Sequence, residues 1–83
     1  MLQVLGLNCM KLPILSGRDV IKILSKQGFA IARQKGSHII LVKELNTGKR
    51  GVVVPNHKEI DRGTLLEIIR QSGMTKEEFI KLA

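Results

Sequence analysis

Aromatic residues are nearly absent from this chain of 83 residues, which has two Phe and neither Trp nor Tyr. Proteins that bind single-stranded nucleic acid usually stack bases on such rings, so this mode of binding is disfavoured. The core of so small a protein must then consist mainly of Leu, Ile and Val. The length allows one domain.

Cysteine occurs once, at Cys9, which excludes an internal disulfide and a cysteine-rich zinc site. The sequence also lacks a phosphate-binding glycine loop, paired carboxylates and any His, Cys and Asp cluster with metal-ligand spacing. We therefore expect neither a metal nor a cofactor. No apolar run approaches the roughly 18 residues of a spanning helix, and we expect a cytoplasmic protein with no membrane partner.

Acidic residues are scarce: 7 Asp and Glu face 14 Lys and Arg, which gives a formal net charge of +7. Such an excess indicates a polyanionic partner, first a nucleic acid and second an anionic membrane or an acidic protein. Charge alone does not exclude a protein that is merely basic. A basic chain with so few aromatic rings is expected to contact phosphates rather than to stack bases.

The start of the chain differs from the rest. Residues 1–9 are apolar but lack the positively charged beginning of a signal peptide. Met10-Lys11-Leu12-Pro13 resembles a second start. We therefore treat residues 1–10 as an N-terminal extension, either disordered or a mis-assigned start, and residues 11–83 as the single domain.

The spacing of apolar residues after Pro13 predicts alternating structure types. Ser16 is expected to cap a first helix that ends at Gly28. A second helix is predicted from Gly63-Thr64, with Thr64 and Glu67 as its capping box, and a short third one from Thr75. Between the first two helices, short β-like runs separated by turn signals predict three strands, at residues 29–34, 37–44 and 50–55.

This order predicts an α+β fold, α-β-β-β-α, in which a three-stranded antiparallel sheet carries the helices on one face, with a short C-terminal helix. It is the order of the double-stranded-RNA-binding fold, which raises the expectation of RNA. The second strand is apolar on both sides, because Ile40 and Val42 alternate with Ile39 and Leu41. One side is therefore either covered by the terminal helix or the first nine residues, or is a protein-binding surface.

Two histidines are the residues best suited to chemistry. Metal-free RNA cleavage needs a base for the 2′-hydroxyl proton, an acid for the leaving 5′-oxygen and a positive charge at the phosphorus. Histidine fills either proton role. His38 follows a turn that carries Lys35, which would supply the charge, and His57 lies in the loop after the third strand. From spacing alone, each histidine is better explained as a polar residue at a strand end or in a loop than as a catalytic group.

The motifs, taken together and in order, resemble the HicA (YcfA-like) family of toxins from type II toxin–antitoxin systems. The resemblance runs from about Lys11 to the C-terminus. Its blocks are Leu15-Ser16-Gly17-Arg18-Asp19-Val20, Arg33-Gln34-Lys35-Gly36-Ser37-His38, Val54-Pro55-Asn56-His57, and Gly63-Thr64-Leu65 followed by Ile68-Ile69-Arg70-Gln71-Ser72-Gly73. The family often has another His or an aromatic residue after the motif histidine, where this chain has Ile39 and Leu41.

The resemblance implies an mRNA interferase, an endoribonuclease that cleaves mRNA and arrests translation. It implies a double-stranded-RNA-binding-like fold, a catalytic role for His38, and a HicB-like antitoxin that blocks access to that histidine. We assign Lys35 to stabilising the charge at the phosphorus. His57 is a candidate for the second proton carrier, with phosphate contact as the alternative. The predicted RNA contacts are Ser37 and the cations Arg33, Lys35, Lys43, Lys49, Arg50, Lys58 and Arg62.

Two other functions stay open from the sequence. One is a non-catalytic module that binds double-stranded RNA, for which the same fold order and charge would suffice. The other is a protein-interaction subunit that uses the face of Ile39 and Leu41. Under the second hypothesis, Leu41→Asp would abolish complex formation, whereas the surface cations would be dispensable.

Overall fold

The structure is a computed structural model that describes residues 12–83. Its elements are α1 (Gly17–Lys26), β1 (Ala30–Lys35), β2 (His38–Leu45), β3 (Gly48–Pro55), α2 (Arg62–Ser72) and α3 (Lys76–Leu82). This order confirms the α-β-β-β-α prediction with a short terminal helix. The expected N-terminal extension, residues 1–10, lies outside the described residues.

The three strands form one antiparallel sheet in the order β1-β2-β3. Two-residue turns join them, Gly36-Ser37 and Asn46-Thr47. The second turn is so tight that Gly48 already pairs with Leu45, so β3 begins two residues before the predicted Arg50. The register shifts between Ile31 and Arg33, where a bulge interrupts the pairing of β1 with β2.

The helices cover the sheet face of Ile39 and Leu41, which are 7% and 0% exposed. These two side chains join the core, together with Val52, Val54 and Phe79. The hypothesis that their face is an interaction surface is therefore wrong. The side that faces away from the helices carries His38, Ile40 and Val42, because side chains alternate along a strand. Both sides of β2 are apolar, so alternation alone could not tell them apart.

The start of each helix has a local cause. Ser16 caps α1, as predicted, and it also forms a capping box with Asp19. Hydrogen bonds from Ser16 lower the pKa of the Asp19 carboxyl. At α2 the predicted cap is wrong. Asp61 is the N-cap, and its carboxylate accepts hydrogen bonds from both the N–H and the hydroxyl of Thr64, at 3.1 and 2.7 Å. Thr64 is therefore a donor within the first turn, since Asp61 stands three residues before it.

Candidate functional site

The turn between β1 and β2 presents two predicted site residues side by side. Lys35 and His38 are register partners, so they lie opposite each other on the same face of the sheet, and both are exposed. Between them Gly36 has φ of +60°, a conformation that favours glycine over residues with a Cβ. The side-chain N–H of Gln34 donates to the Gly36 carbonyl at 3.1 Å. The chain therefore holds an ammonium and an imidazole at one end of the sheet.

The segment after β3 closes this end of the sheet from the other side. Pro55 is the register partner of His38 in β3. Beyond it, the Asn56 N–H donates to the carbonyl of Ser37 at 2.7 Å, which extends the pairing into the turn. His57 follows directly, so its backbone lies two residues beyond the partner of His38. Both histidines thus belong to the same end of the sheet.

Helix α1 is fastened to this segment at its first residue. The Gly17 N–H donates to the carbonyl of His57 at 2.8 Å. A Cβ on Gly17 would lie 2.5 Å from the Pro55 carbonyl oxygen and 3.1 Å from the Asn56 Cα, so only glycine permits this approach. A second backbone bond, from the Ile60 N–H to the Leu15 carbonyl at 2.8 Å, holds the same connection farther along.

The structure brings some of the predicted RNA contacts near His38. Arg33 pairs with Ile40, two residues along β2 on the same face, a separation of about 7 Å along the strand. Ser37 precedes His38 in the turn, and Lys58 follows His57. With Lys35, these residues form what we call the turn-end site: Arg33, Lys35, Ser37, His38, His57 and Lys58.

Other predicted contacts lie elsewhere. Lys49 pairs with Glu44, six residues from His38 along β2, a span of roughly 20 Å. Lys43 and Arg50 pair with each other on the helix side: the Lys43 ammonium lies 5.9 Å from the centre of the Phe29 ring, and the Arg50 guanidinium donates to the Gln71 carbonyl. Arg62 is the first residue of α2. These four cations do not converge on His38.

Two residues absent from the predicted site line a groove beside it. Arg18 of α1 and Asn56 line a cavity of about 340 Å³, together with Ile21, Lys22, Ile31 and Ile39. Only Gly17 permits α1 to start so close to Asn56, and no local pattern in the sequence reports that contact. The sole hint in the sequence is that Gly17-Arg18 and Asn56-His57 occur in blocks that the family shares.

The metal-binding capacity of the described part of the chain is small. No group of three or more His, Cys, Asp and Glu side chains within residues 12–83 is arranged to hold an ion. The turn-end site places an imidazole, that of His38, opposite the ammonium group of Lys35.

A family comparison decides the assignment. The model of the "HicA toxin of bacterial toxin-antitoxin" family matches residues 17–74, which is more than half of the chain. The chain belongs to the HicA toxin family. The matched range begins at the first residue of α1 and ends after α2, so it contains the whole turn-end site. No curated protein sequence matches the chain.

Membership of the HicA family gives this protein the role of a toxin in a toxin–antitoxin system and implies an antitoxin partner. The described residues, 12–83, contain no helix long and apolar enough to cross a bilayer.

Proposed function

We propose that this HicA toxin is a metal-independent endoribonuclease that cleaves mRNA and thereby arrests translation, and that a HicB-like antitoxin neutralises it. The observation that carries the proposal is the pairing of Lys35 with His38 on an exposed face at the end of the sheet. Family membership supports it, because the match covers both residues. The exposure of these two side chains suits an RNA substrate, because a polymer must reach the site from solvent.

The proposed reaction is an internal transesterification. His38 takes the proton of a 2′-hydroxyl, whose oxygen then forms a bond to the adjacent phosphorus. The bond from phosphorus to the 5′-oxygen breaks, and a proton passes to that leaving oxygen. The products are a 2′,3′-cyclic phosphate and a free 5′-hydroxyl. Lys35 stabilises the negative charge that accumulates on the phosphoryl oxygens.

His57 is the candidate for the second proton carrier. His57 has the right side chain, and its backbone lies two residues beyond the register partner of His38. If His57 does not donate this proton, the leaving 5′-oxygen receives it from water or from His38, which is protonated after the first step. A His57→Ala variant that keeps the wild-type rate assigns His57 to phosphate contact or to the loop alone.

The turn-end site is proposed to hold RNA by its backbone. Its cations Arg33, Lys35 and Lys58 are exposed, as is Ser37. Both phenylalanine rings of the described residues, Phe29 and Phe79, are buried in the core. Phosphate contacts of this kind fix the position of the strand but carry little sequence information.

Purified toxin incubated with a defined RNA in EDTA tests the proposal. We expect cleavage that leaves cyclic phosphate and 5′-hydroxyl ends. A matched RNA with one 2′-deoxy nucleotide at the cleaved position is expected to resist cutting there, because the nucleophile is missing. Cleavage that requires an added divalent ion, or that proceeds at the deoxy position, contradicts this mechanism. Tight, salt-dependent binding of duplex RNA without any cleavage would favour the non-catalytic module instead.

A further inference from the structure

The two edges of the sheet differ in how they are covered. At β3 the outward N–H of Val53 donates to the side-chain oxygen of Gln71 in α2, at 3.3 Å. The Gln71 amide nitrogen donates in turn to Glu67 at 3.2 Å, which fixes its orientation. Arg50, also in β3, donates to the Gln71 carbonyl at 3.2 Å. Gln71 of α2 therefore covers part of the β3 edge.

The β1 edge has no such cover within residues 12–83. All six residues of β1 are exposed, and the strand pairs only with β2. An open edge presents unpaired backbone N–H and C=O groups, which form a template for another strand. Proteins commonly bind extended peptides in this way, with backbone hydrogen bonds supplying affinity and side-chain pockets supplying specificity.

An apolar groove runs along the helix side of this edge. Ile31 pairs with the fully buried Leu41 and so faces the helices, yet it is 56% exposed. Ile21 of α1 and Ile39 of β2 line the same groove. The helices stop short of β1, because α1 and α2 pack mainly over β3. The result is a hydrophobic slot beside an unpaired strand, open to a side chain from outside.

Within the described residues, the charged side chains that line the groove or belong to β1 are all basic. Arg18 and Lys22 of α1 line the groove on the helix side. Arg33 and Lys35 project from β1 on the opposite face, since they pair with Ile40 and His38. A second copy of this chain, paired edge to edge, would bring these cations against their own equivalents. A strand with carboxylates would be attracted to the same edge.

We propose that the antitoxin binds by adding a strand to the β1 edge, with an apolar side chain in the groove of Ile21, Ile31 and Ile39 and carboxylates facing Arg18, Lys22 and the cations of β1. This inference rests on the toxin–antitoxin pairing of the proposed function. The added strand would lie beside Lys35, the register partner of His38. Its outward side chains would then obstruct RNA at the turn-end site.

Amide hydrogen exchange on the full-length toxin, free and bound to its purified cognate antitoxin, tests the strand addition directly. We expect exchange of the amides in residues 30–35 that point away from β2 to slow by at least about tenfold in the complex, since these free amides become hydrogen-bonded. The amide of Val53 in β3 is the internal control, because it already donates to the Gln71 side chain. Unchanged exchange in β1, or protection confined to another element, overturns the proposal.

A pair of isoleucine variants tests the groove. Ile31→Asp is expected to weaken antitoxin binding at least about tenfold, as for an apolar anchor in a pocket. Ile14→Asp is the matched control, because Ile14 is 77% exposed and lies outside the groove, and it should bind within about threefold of wild type. Equal affinity of the two variants overturns the proposal, as does sedimentation of the free toxin as a dimer that Ile31→Asp dissociates.

The same two variants are then assayed for RNA cleavage without antitoxin, where both are expected to equal the wild type. Cleavage by a toxin whose β1 is not protected by antitoxin contradicts the docking mode and leaves the nuclease proposal standing. Protection of β1 in a toxin that cuts no RNA contradicts the nuclease proposal and leaves the docking mode standing.

Discussion

Gly17 donates its backbone N–H to the carbonyl of His57 at 2.8 Å, and this bond fastens the first turn of α1 to the loop that follows β3. The loop also pairs with the β1–β2 turn, through the Asn56 N–H and the Ser37 carbonyl. Three segments that are distant in sequence are thus joined by backbone bonds at the end of the sheet where His38 lies. The position of the turn-end site is a consequence of this junction.

The junction predicts that Gly17→Ala destabilises the protein. A Cβ at position 17 would lie 2.5 Å from the Pro55 carbonyl oxygen. Because this oxygen belongs to the backbone, relieving the clash requires the chain around Pro55 to shift, which costs free energy. Overpacking of this kind lowers the free energy of unfolding by about 1–3 kcal/mol. Replacing Gly with Ala also reduces the conformational entropy of the unfolded chain, which raises the free energy of unfolding by only roughly 0.4–1 kcal/mol. The net effect is therefore destabilising. Thermal or urea unfolding measures the difference.

Gly51→Ala is the matched control for that variant. Its Cβ would meet only the Leu41 carbonyl, at the ordinary distance of 3.9 Å. We expect its stability to remain within about 0.5 kcal/mol of wild type. Equal stability of the Gly17 and Gly51 variants would show that α1 is not held by the close contact.

Leu41→Asp is predicted to unfold the domain. Leu41 is fully buried between the sheet and the helices, where an unpaired carboxylate costs several kcal/mol, a large part of the roughly 5–15 kcal/mol of a typical domain. Val53→Asp is the control, because Val53 is 42% exposed. Circular dichroism should show loss of structure for the first variant only. A folded Leu41→Asp protein that fails only in complex formation would restore the abandoned interaction-surface hypothesis.

The cap of α2 predicts an acid-sensitive contribution to stability. Hydrogen bonds from Thr64 lower the pKa of Asp61 below its ordinary value of 3.8. A carboxyl with a lowered pKa stabilises the fold above its unfolded-state value and loses that contribution as pH falls through its folded-state value. The wild-type Tm should therefore drop between about pH 5 and pH 2.

Asp61→Asn isolates this effect, because asparagine still caps a helix but does not titrate. Its Tm should fall less steeply over the same acid range, with a remaining slope from Asp19, whose pKa is also lowered. Asp61→Ala should have a lower Tm at neutral pH as well. An Asp61→Asn variant with the wild-type pH dependence would contradict the role of the Asp61 charge.

The sequence contained the local features of the fold and few of the long-range ones. Ser16 and Asp19 mark the start of α1 because a capping box involves residues three apart. The α2 cap was missed because Asp61 and Thr64 are both good N-caps. The buried side of β2 was not predictable, since it depends on which side the helices pack, and Ile39 and Ile40 are equally apolar.

The candidate site divides in the same way. Lys35 and His38 could be paired from the sequence, because a two-residue turn makes its flanking residues register partners. The positions of Arg50 and Lys43 could not, because a strand places alternate cations on opposite faces and the structure turns these two toward α2 and Phe29. Arg18 was missed since its place beside Asn56 depends on the packing of Gly17.

Replacing Lys35 and replacing Lys49 are predicted to affect different steps, the first cleavage and the second RNA binding. Lys35 faces His38, so Lys35→Ala should lower the cleavage rate at saturating RNA by roughly tenfold to hundredfold. Lys49 lies about six residues away along the sheet and beside Glu44, so Lys49→Ala should weaken RNA binding and leave that rate nearly unchanged. Single-turnover cleavage over a range of RNA concentrations separates the two effects. A rate loss of the same size in both variants would contradict a localised site.

The central claim is that His38 moves the proton in RNA cleavage, and its most direct test is single-turnover cleavage by His38→Ala in EDTA. Removal of a general base typically costs about 10²–10⁴-fold in rate, and because His38 is exposed the variant should keep the wild-type Tm. His57→Ala, measured beside it, shows whether the second imidazole at this end of the sheet also contributes to the rate. The account predicts a folded His38→Ala protein that binds RNA and does not cut it. A folded His38→Ala protein that cuts RNA at the wild-type rate would contradict it.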